Sequence, residues 1–349
     1  MTFMVNARTE EWGRLVYDLE SDEFEAHVLD DRASIHISRP ISVGCLLTGK
    51  CNLKCAFCYG NDESLPREEV GTGDWARIFR HLRSWGVMRV DLSGGEPTMR
   101  KDLAAIAESA VQAGLNVIVS ANGMIVKTHA DLDRFSAVRW HVSMDSGLPE
   151  VHENSRILGT LRPSTGSFEK TTDFMLLCRE KNLRVRALTS LGAHNMHQLF
   201  ALGEHLALIG VREWNLSRIV RAGRAQQEYE RLWHLDEEYV LEQVHELRSA
   251  FSFIRIRYSN RADQHGYFLL VLPDGSLATQ CTDGRDKVIL GNTLGMSLPD
   301  LQSHPEFRLD EHGSKWIAAR LGWQPWYADV ALGSLDAATD FDCSTKLKL

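Results

Sequence analysis

The feature that most constrains the fold is a regular alternation of short apolar runs and helical patterns between residues 41 and 216. Residues 41–47 are a strand-length apolar run. Residues 72–85 set Trp75, Ile78, Phe79 and Leu82 on one helical stripe. Strand patterns recur at 88–92, 116–120, 139–143, 183–189 and 212–216, with helical patterns at 102–113, 168–181 and 196–208. Strands spaced in this way pair in parallel through right-handed helical crossovers. Six strand–helix units are too few to close an eightfold barrel. The expectation is an α/β fold, a partial (β/α)6 barrel of the TIM type over residues 41–225.

Every chemically suggestive cluster falls at the C-terminal end of one of these strands, where parallel α/β sheets bind ligands. Gly94-Gly95-Glu96-Pro97 follows the second strand. Its glycines permit close backbone approach and positive φ, and Glu96 and nearby carbonyls can accept hydrogen bonds from an ammonium group. Ser120 and Asn122 close the third strand, and Ser143 and Asp145 the fourth. Arg156 stands eleven residues past Asp145. Taken one at a time, each is equally readable as a turn, a helix cap or a solvated loop residue.

The hydrophobic fraction of 44% and charged fraction of 25% are those of a globular chain, which excludes a disordered, collagenous or small disulfide-scaffold protein. A net charge of −8 argues against a nucleic-acid or anionic-membrane surface. The longest useful apolar run, 267–272, is far short of the roughly 20 residues a membrane helix needs. The first eight residues contain no signal-peptide core. A cytoplasmic location is expected, so the seven cysteines read as thiols, metal ligands or catalysts before disulfides. Three of them crowd into Cys51-Asn52-Leu53-Lys54-Cys55-Ala56-Phe57-Cys58. One short loop can bring three thiolates to an iron–sulfur cluster, whereas a structural zinc site wants four ligands. No fourth ligand follows nearby, which suggests a cluster with one iron open to a small molecule. Core cysteines on a strand are the bland alternative, and Asn52, Lys54 and Gly60 suit a strand interior poorly.

Cys51-x3-Cys55-x2-Cys58 followed by Tyr59 resembles the cluster loop of the radical S-adenosylmethionine (radical SAM) enzymes. The resemblance covers residues 40–225 and implies one [4Fe-4S] cluster on Cys51, Cys55 and Cys58. The open iron would chelate S-adenosyl-L-methionine (SAM), whose reductive cleavage yields a 5′-deoxyadenosyl radical that abstracts hydrogen from substrate. It further implies that Gly94, Gly95, Glu96 and Pro97 bind the methionine amine and that Ser120 and Asn122 reach the ribose. Ser143 and Asp145 match a Ser-x-Asp common in the family, and Arg156 resembles the arginine that pairs with the SAM carboxylate. Arg221-Ala222-Gly223-Arg224 resembles a basic glycine turn of peptide-modifying members, and reads equally as a solvated loop.

The remaining segments flank this unit. Residues 1–40 hold a candidate hairpin, with 15–17 pairing 25–29 across 20–23. It reads as a small cap, since the segment is short for a complete leader-peptide-binding domain. Residues 226–349 are expected to form a helical linker and a small α+β extension. Residues 226–250 look helical, 254–258 alternate with period two, and 267–272 and 276–280 flank a Pro273-Asp274-Gly275 turn. The hairpin followed by Cys281 resembles the twitch or SPASM extension, whose cysteines hold auxiliary clusters. Here Gly291 lies in place, but Met296 stands where the next cysteine belongs, and only Cys343 follows. A cubane needs about four ligands, so an auxiliary cluster is not expected. Cys281 is then a buried cysteine, a ligand, or a catalytic thiol returning a hydrogen atom to the substrate radical. Cys343 is a tail residue or a second redox thiol.

The expected activity is maturation of a ribosomally synthesised peptide, by epimerisation or bond formation. The alternative is a radical SAM epimerase, dehydrogenase or decarboxylase acting on a sugar, aminocyclitol or other small-molecule natural product. The implied partners are a peptide or small-molecule substrate and a flavodoxin- or ferredoxin-type electron donor, with no nucleic acid and no membrane. His141, Arg186 and Arg218 lie in or near strands and read as substrate-facing or structural polar groups alike.

Overall fold

The computed structural model describes residues 5–29, 39–59, 65–126, 128–158, 162–163, 165–260, 269–279 and 287–307. Cys281 and Cys343 lie outside the described residues.

The chain opens with three antiparallel strands, β1 (Val5–Glu10), β2 (Gly13–Asp18) and β3 (Glu23–Val28). The β2–β3 register places Tyr17 opposite Phe24 and Leu15 opposite Ala26, which is the hairpin read from the sequence. β1 carries no apolar alternation to reveal it. Its buried positions include Asn6 and Arg8, which donate to Met88 O, Gly114 O, Pro40 O and Gly86 O of the main body.

The main body follows in the expected rhythm. In chain order it runs β4 (Ser42–Leu46), α1 (Thr72–Ser84), β5 (Arg89–Ser93), α2 (Leu103–Gln112), β6 (Asn116–Ala121), α3 (His129–Leu132), β7 (Val138–Ser143) and α4 (Pro149–Ser155). The short pair β8 (Ile157–Leu158) and β9 (Arg162–Pro163) precedes α5 (Ser167–Glu180), β10 (Arg184–Leu191), α6 (Leu199–Leu208) and β11 (Glu213–Arg218). Then come α7 (Ala225–Leu232), α8 (Glu237–Ala250), β12 (Arg255–Ser259), β13 (Leu269–Val271), β14 (Ser276–Thr279), β15 (Val288–Asn292) and α9 (Leu298–Ser303).

One sheet gathers ten of these strands in the order β12-β11-β10-β7-β6-β5-β4-β13-β14-β15. The first eight run parallel, and β14 and β15 turn back antiparallel. The outward side chains of the parallel strands, such as Val43, Val90, Val117 and Val142, pack under the helices. α1 supplies Trp75, Ile78, Phe79 and Leu82, all fully buried, because positions i, i+3, i+4 and i+7 share one face. Trp140 of β7 lies edge-on between Phe135 and Phe174, each at a centroid distance of 5.1 Å.

Many of the inward side chains are polar, beside Leu46, Ile118 and Leu188. Asp91, Ser93, Ser120, His141, Ser143, Arg186, Asn215, Ser217 and Arg257 all line one cavity. This explains the period-two pattern at 254–258. β12 is a seventh barrel-type strand beside β11, with Ile256 and Tyr258 in the core and Arg257 facing the cavity. The Pro273-Asp274-Gly275 hairpin, for its part, adds β13 parallel to β4 at the sheet's other edge.

The cap closes the N-terminal end of this sheet through charge. Asp22, at the β2–β3 turn, bonds Arg186, lies 3.0 Å from Arg89 and 3.4 Å from His141, and accepts from Tyr17 Oη at 2.6 Å. Burial alone would raise the Asp22 carboxyl, but Arg186 and Arg89 hold it well below the usual carboxylate range. Arg139 donates to Leu19 O at 3.1 Å and to Glu213 at 2.9 Å. Among the described residues no helix is long and apolar enough to cross a membrane.

Candidate active site

The loop leaving β4 carries Cys51, Cys55 and Cys58 and is gripped by other strand ends. Gly95 N–H donates to Thr48 O at 2.7 Å and Glu96 N–H to Lys50 O at 2.8 Å. A Cβ on Gly94, at φ +128°, would lie 2.4 Å from Thr48 O, and one on Gly95 would lie 2.1 Å from Lys50 O. The glycine pair therefore serves contact between two loops of the protein, a requirement separate from any approach to a ligand.

Glu96 is buried and its carboxylate is occupied by the chain's own donors. Oε1 accepts from Thr98 N–H at 3.1 Å and from the Thr98 hydroxyl, and Oε2 accepts from Asn122 N–H at 2.8 Å. Burial raises this carboxyl above its ordinary value despite those donors. Pro97 opens a short 3-10 turn over Pro97–Met99 and is buried beneath it. Asn122 in turn donates from Nδ2 to Asn52 Oδ1 of the cysteine loop at 2.7 Å. Ser120 donates to Asp91 at 2.7 Å inside the cavity. Ser143 and Tyr59 line the same cavity.

Asp145 and Arg156 form a buried ion pair, Nε to Oδ2, at 2.8 Å. Ser155 Oγ donates to Asp145 Oδ2 at 3.1 Å and Ser190 N–H to Oδ1 at 3.2 Å. Burial pushes the Asp145 carboxyl up, yet Arg156, His152, His194 and the Ser190 N–H together outweigh it and the net shift is downward. Asp145 thus anchors Arg156, which lines the cavity. The Arg156 guanidinium also lies 6.0 Å from the Phe57 ring of the cysteine loop.

Cys55 is buried, and Cys51 and Cys58 are half-buried, at the top of the cavity. Leu53 N–H points at Cys51 Sγ at 3.3 Å, and Leu53, Phe57, Met124 and Ile219 pack around the loop. Burial pushes the Cys51 thiol up to about 11 and that of Cys55 to about 12, so metal binding here must displace protons. Among the described residues no three Cys, His, Asp or Glu side chains are already drawn together as a metal site. The donor chemistry fits iron–sulfur ligation: three sulfurs on one loop, in apolar packing, facing one cavity.

Two features escaped sequence reasoning. The Arg221–Arg224 turn docks on the cysteine loop, with Arg224 N–H donating to Cys58 O at 3.0 Å and Arg224 Nε to Cys55 O at 3.2 Å. His194, after β10, stacks on Phe57 at 5.3 Å and 12°, with both ring nitrogens buried and without a hydrogen-bond partner. The basic composition of the turn hinted at the first; nothing in the sequence signals the second. His141 and Arg186 face the cavity, whereas Arg218 bonds Tyr229 Oη and Asn260 Oδ1 at 3.0 and 3.1 Å.

A parallel α/β sheet with a thiol loop at its C-terminal edge, ringed by glycine, carboxylate and arginine from successive strands, defines a ligand-binding enzyme built around sulfur donors. Residues 45–199 match the model of the Radical SAM superfamily, so the chain carries a radical SAM domain. It is 28% identical over 199 residues to an AdoMet-dependent heme synthase of Methanosarcina barkeri, covering 54% of this chain and 55% of the relative. It is 29% identical over 167 residues to a PqqA peptide cyclase of Rhodopseudomonas palustris, covering 46% and 42%. The chain thus spans about half the length of the curated relatives it matches. In fold it is similar to Streptococcus suis SuiB bound to S-adenosylmethionine, with a TM-score of 0.69 at 12% identity over 88% of this chain and 89% of that one.

Proposed function

We propose that this radical SAM enzyme matures a ribosomally synthesised peptide by abstracting a hydrogen atom from one of its residues. The observation carrying the proposal is the convergence on one cavity of the thiol loop, Gly94, Gly95, Glu96, Asn122 and Arg156, the last held by Asp145. In this reading Cys51, Cys55 and Cys58 ligate one [4Fe-4S] cluster. Once loaded, that cluster supplies the electron for reductive cleavage of SAM to a 5′-deoxyadenosyl radical.

The chain's own residues bind and orient. Backbone carbonyls of the Gly94–Pro97 turn accept from the SAM amine, on a turn that Glu96 holds against β6. Arg156, fixed by Asp145, pairs with the SAM carboxylate through its planar fork. Ser120, Asn122, Ser143 and Tyr59 complete the contacts. A flavodoxin- or ferredoxin-type protein supplies electrons. Residues 1–40 act as the cap, 41–225 as the catalytic unit and 226–349 as an extension.

Cys281 is assigned the delivery of a hydrogen atom to the substrate carbon radical, which forms the epimer and leaves a thiyl radical; an electron from the same donor and a proton then restore the thiol. Cys281→Ala should still form 5′-deoxyadenosine and lose the inverted product. A peptide substrate is supported by the likeness to a PqqA peptide cyclase. Incubation with the product of an adjacent short reading frame tests it: a mass or chirality change in that peptide is expected, and its absence in a reaction that cleaves SAM contradicts it.

The second reading is a small polar natural product, such as a sugar or aminocyclitol. It is favoured by part of the cavity wall, where Asp91, Ser120, His141, Asn215 and Ser217 offer carboxylate, hydroxyl, imidazole and amide groups beside the apolar Leu46, Ile118 and Leu188.

A further inference from the structure

The turn after β11 makes a contact that the proposed chemistry does not itself require. Arg224 reaches back 169 residues to the cysteine loop and donates Nε to Cys55 O at 3.2 Å. Its own N–H donates to Cys58 O at 3.0 Å. Gly223 stands at φ +56°, and a Cβ there would lie 2.7 Å from both Cys58 O and Tyr59 O. The chain therefore turns against the loop in a conformation and at a distance that favour glycine. Cys58 N–H makes a local bond to Cys55 O at 3.3 Å, and Phe57 stacks on His194.

We infer that Arg224, seated by Gly223, is a positioning residue that holds the Cys55–Tyr59 stretch in its cluster-receiving shape before any iron arrives. The acceptors are two backbone carbonyls, so the clamp fixes the path of the chain between two of the three thiols without using the sulfurs. A charged, planar donor suits this task. Its Nε lies in the plane of a rigid group and cannot be copied by a lysine ammonium, which is a point charge on a flexible stem. Arg221, in the same turn, is half-exposed, lies 3.7 Å from Glu230 and packs over the Tyr229 ring. The two arginines thus have separate tasks, one against the loop and one on α7.

The inference rests on the assignment of Cys51, Cys55 and Cys58 as cluster ligands, and its test separates the two. In the full-length, metal-free protein the alkylation rates of Cys55 and Cys58 by iodoacetamide are followed by mass spectrometry for wild type, Arg224→Gln, Arg224→Lys and Arg221→Gln. Hydrogen exchange over residues 51–59 is measured alongside. Arg224→Gln and Arg224→Lys should both react about tenfold faster, as expected for the loss of one hydrogen bond from a charged donor. Arg221→Gln should stay at the wild-type rate. Gly223→Ala, whose Cβ displaces the turn instead of shortening a side chain, should repeat the Arg224 result. Exchange in β6 and β7 must remain at wild-type level, which separates a loosened loop from a misfolded chain. Should Arg224→Gln misfold, Arg224→Lys and Gly223→Ala carry the decision. Alkylation and exchange unchanged in the folded Arg224 and Gly223 variants would overturn the clamp. Failure of the wild type to take up iron would overturn the ligand assignment instead, and leave the clamp standing.

Discussion

Asp145 Oδ2 sits 2.8 Å from Arg156 Nε, and neither residue is more than 4% exposed. A guanidinium this deeply buried must keep a counter-charge, and Asp145 spends its oxygens on Arg156, Ser155 and the Ser190 N–H. In the proposed reading Asp145 positions Arg156, and Arg156 is the group that meets the SAM carboxylate. Asp145→Asn is predicted to cost ~3–5 kcal/mol of stability, the usual penalty for breaking a buried pair. Chemical denaturation of the metal-free protein measures it; a loss under about 1 kcal/mol contradicts this account of the pair.

Glu96→Gln separates the two tasks of that side chain. One glutamine oxygen can serve the Thr98 donors or the Asn122 N–H, and its amide must face the other. The expected loss is ~1–3 kcal/mol in ligand-free protein, with weaker SAM binding after reconstitution. A melting temperature equal to wild type would mean that the Glu96 bridge between β5 and β6 contributes nothing.

Gly95→Ala puts a methyl group 2.1 Å from Lys50 O, a backbone atom that cannot swing aside. The cysteine loop must shift. Overpacking of this kind costs ~1–3 kcal/mol, and iron uptake should fall with it. Iron content after anaerobic reconstitution is the readout, and full uptake contradicts the prediction.

The cap gives a pH dependence with a definite sign. Burial raises the Asp22 carboxyl, and Arg186 and Arg89 more than reverse this, so its folded value is depressed. Such a group adds stability above its unfolded value of about 3.9 and loses it as pH falls through the folded value. Melting temperature should therefore fall below about pH 4. Asp22→Asn should start lower at pH 7, by ~3–5 kcal/mol, and show a shallower acid decline. Parallel acid profiles for the two proteins would contradict the role given to Asp22.

The repeating β/α units were legible because each strand and helix announces its own period. Trp75, Ile78, Phe79 and Leu82 mark a helix whatever lies beside it. The three cysteines and the Gly94–Pro97 turn were legible because their spacing is local. What could not be read were partners distant in the chain. β12 looked like part of an appended hairpin domain, because its alternation reports a polar inner face and not which strand it pairs with. β13 gave no sign that it would lie parallel to β4. Asn122, read as a ribose contact, bonds Asn52 across 70 residues, and Arg224 bonds Cys55 across 169. β1 was missed because its inward side chains, Asn6 and Arg8, are polar and satisfied by carbonyls of the main body.

Cys51, Cys55 and Cys58 are proposed to hold one iron–sulfur cluster that cleaves SAM. Iron and sulfide are to be counted after anaerobic reconstitution, and 5′-deoxyadenosine after reduction with dithionite, in wild type and in the Cys51→Ala/Cys55→Ala/Cys58→Ala variant. About four irons and four sulfides per wild-type chain are expected, with 5′-deoxyadenosine formed, and neither in the variant. Irons surviving at that level in the variant would place a cluster elsewhere in the chain, and a wild type that binds iron without cleaving SAM would contradict the chemistry.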